Sequence, residues 1–431
     1  MSRTARAKQP SRRARLVAGV LCLALAGCTV APGGPLPRRG LSIQVNPAQS
    51  LLDAPVHLHV LGAAPGSAVR LRAEVADAAG RRWTAEATFT ADRGGEVDLD
   101  ASAPVAGDYR TTAGMGLLWS LRPPPGAPTG TYFVAPADGQ TVALTATSGA
   151  ATATRTLRRL LRAPGVAGTP LTLDRDGLVG VYDAPDAAPA GPGVLLFGGS
   201  AGGLASADVL AMLLASHGYH ALALAYFGLP GLPASLSAVP LEYFQRALRW
   251  LATRPGVLAD GLVVAGWSRG SEAALLLGVH DPGTVHSVVA LAPNDTALCS
   301  YPGCAGPAWT LRGRPLPFTR QFNTPYPVDD PAAVIPVERI GGPLFLACGG
   351  QDQVWQSCAF MRAIAARRAA HHHDARDVVL GFPLAGHGVA FPIPYLPTAD
   401  AAIVQGTTPE ANEAAREQIW PQLLRFLAAV A

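Results

Sequence analysis

The chain has 431 residues, of which 49% are hydrophobic and 15% charged, with 47 glycines and 39 prolines. That is material for two or three ordered, loop-rich domains at roughly 150 residues each and excludes a disordered chain. The net charge of +4 overstates the basic character, because Arg3, Arg6, Lys8, Arg12, Arg13 and Arg15 all precede the first apolar run and the rest of the chain carries −2. No electrostatic footprint for nucleic acid remains. Lys8 is also the only lysine, so a Schiff-base mechanism, a pyridoxal-phosphate anchor and a Walker A loop all lack their amine.

Residues 1–28 read as a lipoprotein-type signal peptide: a basic stretch, an apolar run over 16–26 too short to span a bilayer, then small residues. Leu25-Ala26-Gly27-Cys28 resembles the bacterial lipobox, which makes Cys28 the expected lipidation site and an N-terminal lipid anchor the only expected membrane contact. Residues 29–40 would then tether the lipid to the folded body. The expected location is the cell envelope. Beyond Cys22 and Cys28, four cysteines remain, and their spacing predicts two local disulfides, Cys299 to Cys304 and Cys348 to Cys358.

Residues 41–165 carry strand periodicity. Val69, Leu71, Ala73 and Val75 alternate with polar residues, Asp77-Ala78-Ala79-Gly80 supplies a turn, and Trp83, Ala85, Ala87 and Phe89 alternate again. That pattern predicts a hairpin with one buried face. Similar runs at 41–45, 56–60 and 141–147 predict a small all-β sandwich with no catalytic set of its own.

Residues 166–431 change pattern to short, continuous apolar runs at 193–197, 220–225, 262–265, 287–292, 343–347 and 377–380. Amphipathic stretches at 206–216, 241–253, 269–277, 356–368 and 409–429 separate or follow them. Buried strands alternating with helices predict an α/β unit with a doubly wound, mostly parallel sheet. Ligands bind such sheets beyond the carboxyl ends of the strands.

Three strand ends carry the chemistry. Gly266-Trp267-Ser268-Arg269-Gly270 is a G-x-S-x-G between an apolar strand and a helix; the glycines permit a sharp turn that lifts a serine hydroxyl above the sheet. Ser268 is the expected nucleophile. Its base and orienting acid should follow in the order acid, then histidine, which selects Asp352 and His387, each in the loop after a later strand. Asp295, after strand 287–292, is the rival acid. The backbone N–H groups of Arg269 and of Gly199 or Ser200, in the glycine-rich loop 198–203, are the expected oxyanion donors. No metal site and no cofactor is expected: His371, His372 and His373 read as a surface turn, and His57 and His59 as strand residues without a third ligand.

With these motifs in place, the chain resembles the acyl-CoA thioesterases and bile-acid-CoA:amino-acid N-acyltransferases (BAAT). The resemblance rests on Met115-Gly116-Leu117-Leu118-Trp119-Ser120, Leu222-Ala223-Leu224-Ala225-Tyr226-Phe227, Leu241-Glu242-Tyr243-Phe244, Gly266-Trp267-Ser268-Arg269-Gly270 and Ala385-Gly386-His387. It implies a β-sandwich joined to an α/β-hydrolase unit and places nucleophile, acid and base on Ser268, Asp352 and His387. The family's acyltransferases use cysteine and pass the acyl group to an amine, whereas its thioesterases use serine and water, so Ser268 implies hydrolysis of an acyl thioester or ester. The export signal departs from the family, whose members and coenzyme A substrates are intracellular. Alternatives are an exported carboxylesterase or acyltransferase on a substrate without coenzyme A, or an inactive lipoprotein that binds a partner.

Overall fold

The computed structural model describes residues 40–128, 131–187, 190–323, 328–397 and 406–430. The expected signal, Cys28 and nearly all of the tether lie outside the described residues.

In the N-terminal region the strands are β1 (Ser42–Asn46), β2 (Gln49–Leu51), β3 (His57–Leu61), β4 (Ala68–Ala76), β5 (Arg82–Thr90), β6 (Val97–Asp98), β7 (Ala106–Gly107), β8 (Gln140–Ser148) and β9 (Ala151–Leu160), with the short helix α1 (Gly116–Trp119) before β8. They form a six-stranded sheet, β2-β9-β8-β4-β5-β7, and a three-stranded sheet, β1-β3-β6. Register Leu71↔Ala87 and Val75↔Trp83 puts the alternating apolar residues of β4 and β5 on one face, where they share a core with Ile43, Val45, Leu58 and Val60 of the smaller sheet. Burial of these side chains, each worth roughly 1.5–3 kcal/mol, is what makes the two layers adhere. Strand β9 escapes sequence reading because its first half, Ala-Thr-Ala-Thr-Arg-Thr, carries no large apolar residue and is mostly exposed, and only Leu157 and Arg159 are buried.

The larger sheet begins with β10 (Val166–Leu171), the short helix α2 (Leu173–Asp176) and β11 (Val179–Pro185). The chain continues through β12 (Gly191–Phe197), α3 (Ala205–Ser216), β13 (His220–Ala225), β14 (Val239–Pro240), α4 (Leu241–Ala252), β15 (Val257–Trp267), α5 (Arg269–His280) and β16 (Ser287–Leu291). After β17 (Trp309–Leu311) and β18 (Arg314–Pro315) come β19 (Leu344–Gly349), α6 (Ser357–Ala370), β20 (Val378–Phe382) and a last helix, α7 (Pro409–Ala429). The main sheet has the order β10-β11-β13-β12-β15-β16-β19-β20. Strands β12, β13, β15, β16, β19 and β20 pair in parallel, while β10 and β11 join antiparallel at one edge. Those two edge strands are missing from the sequence reading because β10 is largely exposed and contains Pro170, so it lacks the apolar run of a buried strand.

Alternate residues of one strand serve opposite faces. Val194 and Leu196 of β12 pack with α3 and α7, while Leu195 and Phe197 pack with α4 and α5. Helix α4 buries Leu241, Phe244, Ala247, Leu248 and Leu251, the spacing of one helical stripe. Helix α7 starts at Thr408, whose side chain accepts from the Ala411 N–H, with Pro409 in its first turn. No helix among the described residues is long and apolar enough to cross a membrane.

The sandwich is fastened to this layer by a buried carboxylate. Asp53, between β2 and β3, accepts from Trp420 Nε1 of α7 at 2.7 Å and contacts His217 Nε2, just past α3, at 2.5 Å. Arg159 of β9 donates to the carbonyls of Leu52 and Ala54 on either side of it.

Candidate active site

Strand β15 runs into α5 through one residue, Ser268, whose backbone sits at φ 53° and ψ −128°. A side-chain-bearing residue there costs on the order of 1–3 kcal/mol. The turn has room only for glycine at two neighbouring positions: a Cβ on Gly266 would lie 2.2 Å from the Gly270 carbonyl oxygen, and one on Gly270 would lie 2.4 Å from that of Gly198. The Ser268 N–H is held by the Leu291 carbonyl at 3.0 Å.

Two further strand ends meet this turn. The loop after β19 carries Asp352, whose Oδ1 accepts from the N–H groups of Val354 and Trp355 at 3.0 and 3.3 Å. Its Oδ2 is thereby left facing His387 Nδ1 at 2.8 Å. The loop after β20 carries His387, whose Nε2 lies 3.0 Å from Ser268 Oγ. Gly386 N–H donates to Asn412 Oδ1 of α7 at 2.8 Å, and the Trp355 ring meets the imidazole edge-on at 5.8 Å. All three side chains expected from the sequence are therefore brought together. Asp295, the rival acid, is buried past β16, and the carboxylate at His387 Nδ1 is that of Asp352.

On the other side of Ser268, the loop after β12 comes close enough that a Cβ on Gly199 would lie 2.7 Å from Ser268 Cβ. Tyr226 OH donates to the Gly198 carbonyl at 2.7 Å and fixes that loop. As the first residue of α5, Arg269 has an N–H with no partner inside the helix. The Arg269 side chain turns away from it into the protein, donating to Glu272 Oε1 at 2.6 Å and to the Cys299 carbonyl at 2.8 Å. Glu272 also accepts from Leu298 N–H and Trp309 Nε1; burial pushes its carboxyl upward, against the pull of Arg269. Breaking such a buried pair costs about 3–5 kcal/mol, so the guanidinium is committed to holding the start of α5.

A cavity of about 590 Å³ opens on Ser268 and His387, with Gly199 and Ser200 on its wall. Both cysteine pairs expected from spacing are bridged, and both bridges lie beside the site. Cys348 lies in β19 just before the loop that carries Asp352, and Cys358 lies in the first turn of α6. The Cys299 to Cys304 loop carries Tyr301, which lines the cavity.

Sequence reading missed Asn412, Glu272 and Trp355 as supports, because each is an ordinary helix or loop residue until the fold brings it to the site. It also left His57 and His59 without a third ligand, whereas register His59↔Asp98 sets carboxylates opposite them. The ligand atoms of His59, Asp98 and Asp100 lie within 4.8 Å of one another, and His57 pairs with Asp100. The partners are invisible in the sequence because β6 follows β3 only after the β4–β5 hairpin.

The sequence model described as the acyl-CoA thioester hydrolase/BAAT N-terminal region matches residues 53–172, and the corresponding C-terminal model matches 239–299 and 313–430. Acyl-coenzyme A thioesterase 6 of Homo sapiens is 30% identical over 404 residues, covering 87% of this chain and 93% of the relative. Mitochondrial acyl-coenzyme A thioesterase 2 of Mus musculus is 29% identical over 420 residues, covering 90% and 89%. Among solved structures, MGS-M1, an α/β hydrolase from a Medee basin deep-sea metagenome library, aligns at TM-score 0.42 and 16% identity over 62% of this chain and 99% of that one. Similarity to the thioesterases thus runs through both regions, and the chain belongs to the acyl-CoA thioester hydrolase/BAAT family.

Proposed function

We propose that the protein is a serine hydrolase of acyl thioesters or esters, working through an acyl-serine intermediate. The observation that carries this reading is one imidazole with Nε2 at 3.0 Å from Ser268 Oγ and Nδ1 at 2.8 Å from Asp352. Ser268 Oγ attacks the acyl carbonyl carbon while His387 Nε2 takes its proton. The negative charge on the carbonyl oxygen is met by the N–H groups of Arg269 and of Gly199 or Ser200. Collapse breaks the bond to the leaving thiol or alcohol, which receives the proton from His387. Water, deprotonated by His387, then attacks the acyl-serine; the acid is released and Ser268 regains its proton. Asp352 holds the imidazole in the tautomer whose Nε2 accepts, and it steadies the imidazolium. In this reading residues 41–165 form the β-sandwich unit and 166–431 the catalytic unit.

The test is a fluorophosphonate probe followed by peptide mapping. Labelling at Ser268, blocked by prior incubation with a hydrolysed substrate, is the expected result; a folded protein that resists the probe would sink the reading.

We further propose, from the 16–28 pattern, that Cys28 is acylated and becomes the first residue once residues 1–27 are removed, and that 29–40 tether the protein to the cell envelope. Two bridged cysteine pairs fit an oxidising compartment. Mass spectrometry of the mature protein should find a diacylglycerol-modified Cys28 as the first residue; a protein beginning at Met1 would reject export.

A further inference from the structure

The sandwich carries a cluster of its own. His57 and His59 flank Leu58 on β3, and Asp98 and Asp100 flank Leu99 at the end of β6. The two strands pair antiparallel with His59 facing Asp98, so the same register continued by two residues sets His57 against Asp100. Leu58 and Leu99 are buried in the sandwich core and are joined by a hydrogen bond from Leu99 N–H to the Leu58 carbonyl at 3.1 Å. Because side chains alternate across a strand, both imidazoles and both carboxylates stand together on the outer face of the three-stranded sheet.

The carboxylates are held in place by the backbone. Asp98 Oδ1 accepts from Asp100 N–H at 2.9 Å, and the N–H groups of Ala101 and Ser102 close a turn on the Asp98 carbonyl. Gly114 backs the second carboxylate so closely that a Cβ there would lie 1.8 Å from Asp100 Oδ1. His57 Nδ1 meets Asp100 Oδ2 at 2.5 Å, and His59 Nε2 meets Asp98 Oδ1 at 3.7 Å. Ligand atoms of His59, Asp98 and Asp100 lie within 4.8 Å of one another; around a tetrahedral ion they would be about 3.4 Å apart, so the gaps close by at most roughly 1.5 Å. With 36–55% of each side chain exposed, rotation can supply that adjustment.

As plain ion pairs, contacts this exposed contribute little. Among the described residues, no arginine pairs with either carboxylate, whose ion-pair partners are the two histidines. When the imidazoles are neutral, the form that binds a metal, two negative charges share one gap and a single divalent cation offsets both. Two imidazole nitrogens with two carboxylate oxygens suit zinc and its first-row neighbours rather than magnesium or calcium, which take oxygen ligands.

We propose that His57, His59, Asp98 and Asp100 form a site for a divalent ion of the zinc class, and that the bound ion clips β6 to β3. The strand it secures is only two residues long, and the whole β4–β5 hairpin lies between the two halves of the ligand set. None of the four residues lines the cavity over Ser268, so the ion is structural and takes no part in chemistry at that serine.

Zinc binding is measured on the untagged full chain, with free thiols alkylated, by competition with a chromophoric chelator. One ion per chain with a micromolar Kd is expected, with no uptake of magnesium, and Co²⁺ in place of zinc should give the visible spectrum of a four-coordinate ion. His59→Ala and Asp98→Asn should each weaken zinc binding at least tenfold; the asparagine keeps an acceptor for Asp100 N–H, so the turn survives in that variant. Saturating zinc should raise the thermal midpoint of the parent by a few degrees and leave that of either variant unmoved. Replacing His371, His372 and His373 together by alanine should leave the affinity within twofold. A parent that takes up no zinc at about 100 µM free metal would overturn the proposal. So would an affinity within twofold of the parent's in both His59→Ala and Asp98→Asn, or loss of binding with the 371–373 tract.

Discussion

Ser268→Ala should lower kcat on acyl esters by on the order of 10⁴- to 10⁶-fold and abolish fluorophosphonate labelling, with the thermal midpoint almost unmoved. The variant loses one hydroxyl, whose hydrogen-bond partner is His387 Nε2. The turn that presents it depends on the backbone of Gly266, Gly270 and Gly198 and is left intact. Alanine carries the same Cβ as serine, so the cost of φ 53° is already present in the parent. The residual rate reports what the backbone donors and binding alone contribute. A variant retaining more than about a hundredth of the parent's kcat would show that another group attacks the carbonyl.

Asp352→Asn should lower kcat by roughly 10³- to 10⁴-fold with little change in KM or fold. Asp352 Oδ1 is engaged by the N–H groups of Val354 and Trp355, so an asparagine keeps its carbonyl oxygen on those donors and turns its NH₂ toward His387. That NH₂ can only donate, so His387 Nδ1 must accept and the ring proton moves to Nε2. Nε2 then faces Ser268 Oγ as a donor and cannot take the hydroxyl proton. Steady-state kinetics measures the loss, and a ¹⁵N spectrum of the imidazole reads the tautomer directly. Full activity with the proton on Nε2 would remove Asp352 from the mechanism.

The Ser268–His387–Asp352 arrangement was legible because its signals are local. A strand, a G-x-S-x-G and a helix are contiguous, and the two later strand ends each advertise a loop with an acid or a histidine. Six parallel strands could be read from continuous apolar runs for the same reason. Strand β15 is longer than its apolar run because Val257 and Leu258 pair with Gly191 and Pro192, across a register shift that no local pattern encodes. Strand β10 hides because four of its six side chains face solvent, and β9 because its exposed first half has no large apolar residue to mark a buried face. The supports of the site hide for another reason: Glu272 draws its meaning from Trp309 and Leu298, and Asn412 from Gly386, contacts made across long chain separations. Phe133 likewise looks like a linker residue until two cores close around it.

The bridge from Cys348 to Cys358 closes a ten-residue stretch whose middle presents Asp352. With the bond intact, the ends of that stretch are joined covalently as well as by β19 and α6. With it cut, the carboxylate relies on two amide hydrogen bonds and the packing of Trp355 to keep its place. Material produced in a thiol-reducing host would therefore differ from the oxidised protein at Asp352 and not at Ser268. A weak preparation from such a host would speak about how the protein was made before it spoke about what the protein does.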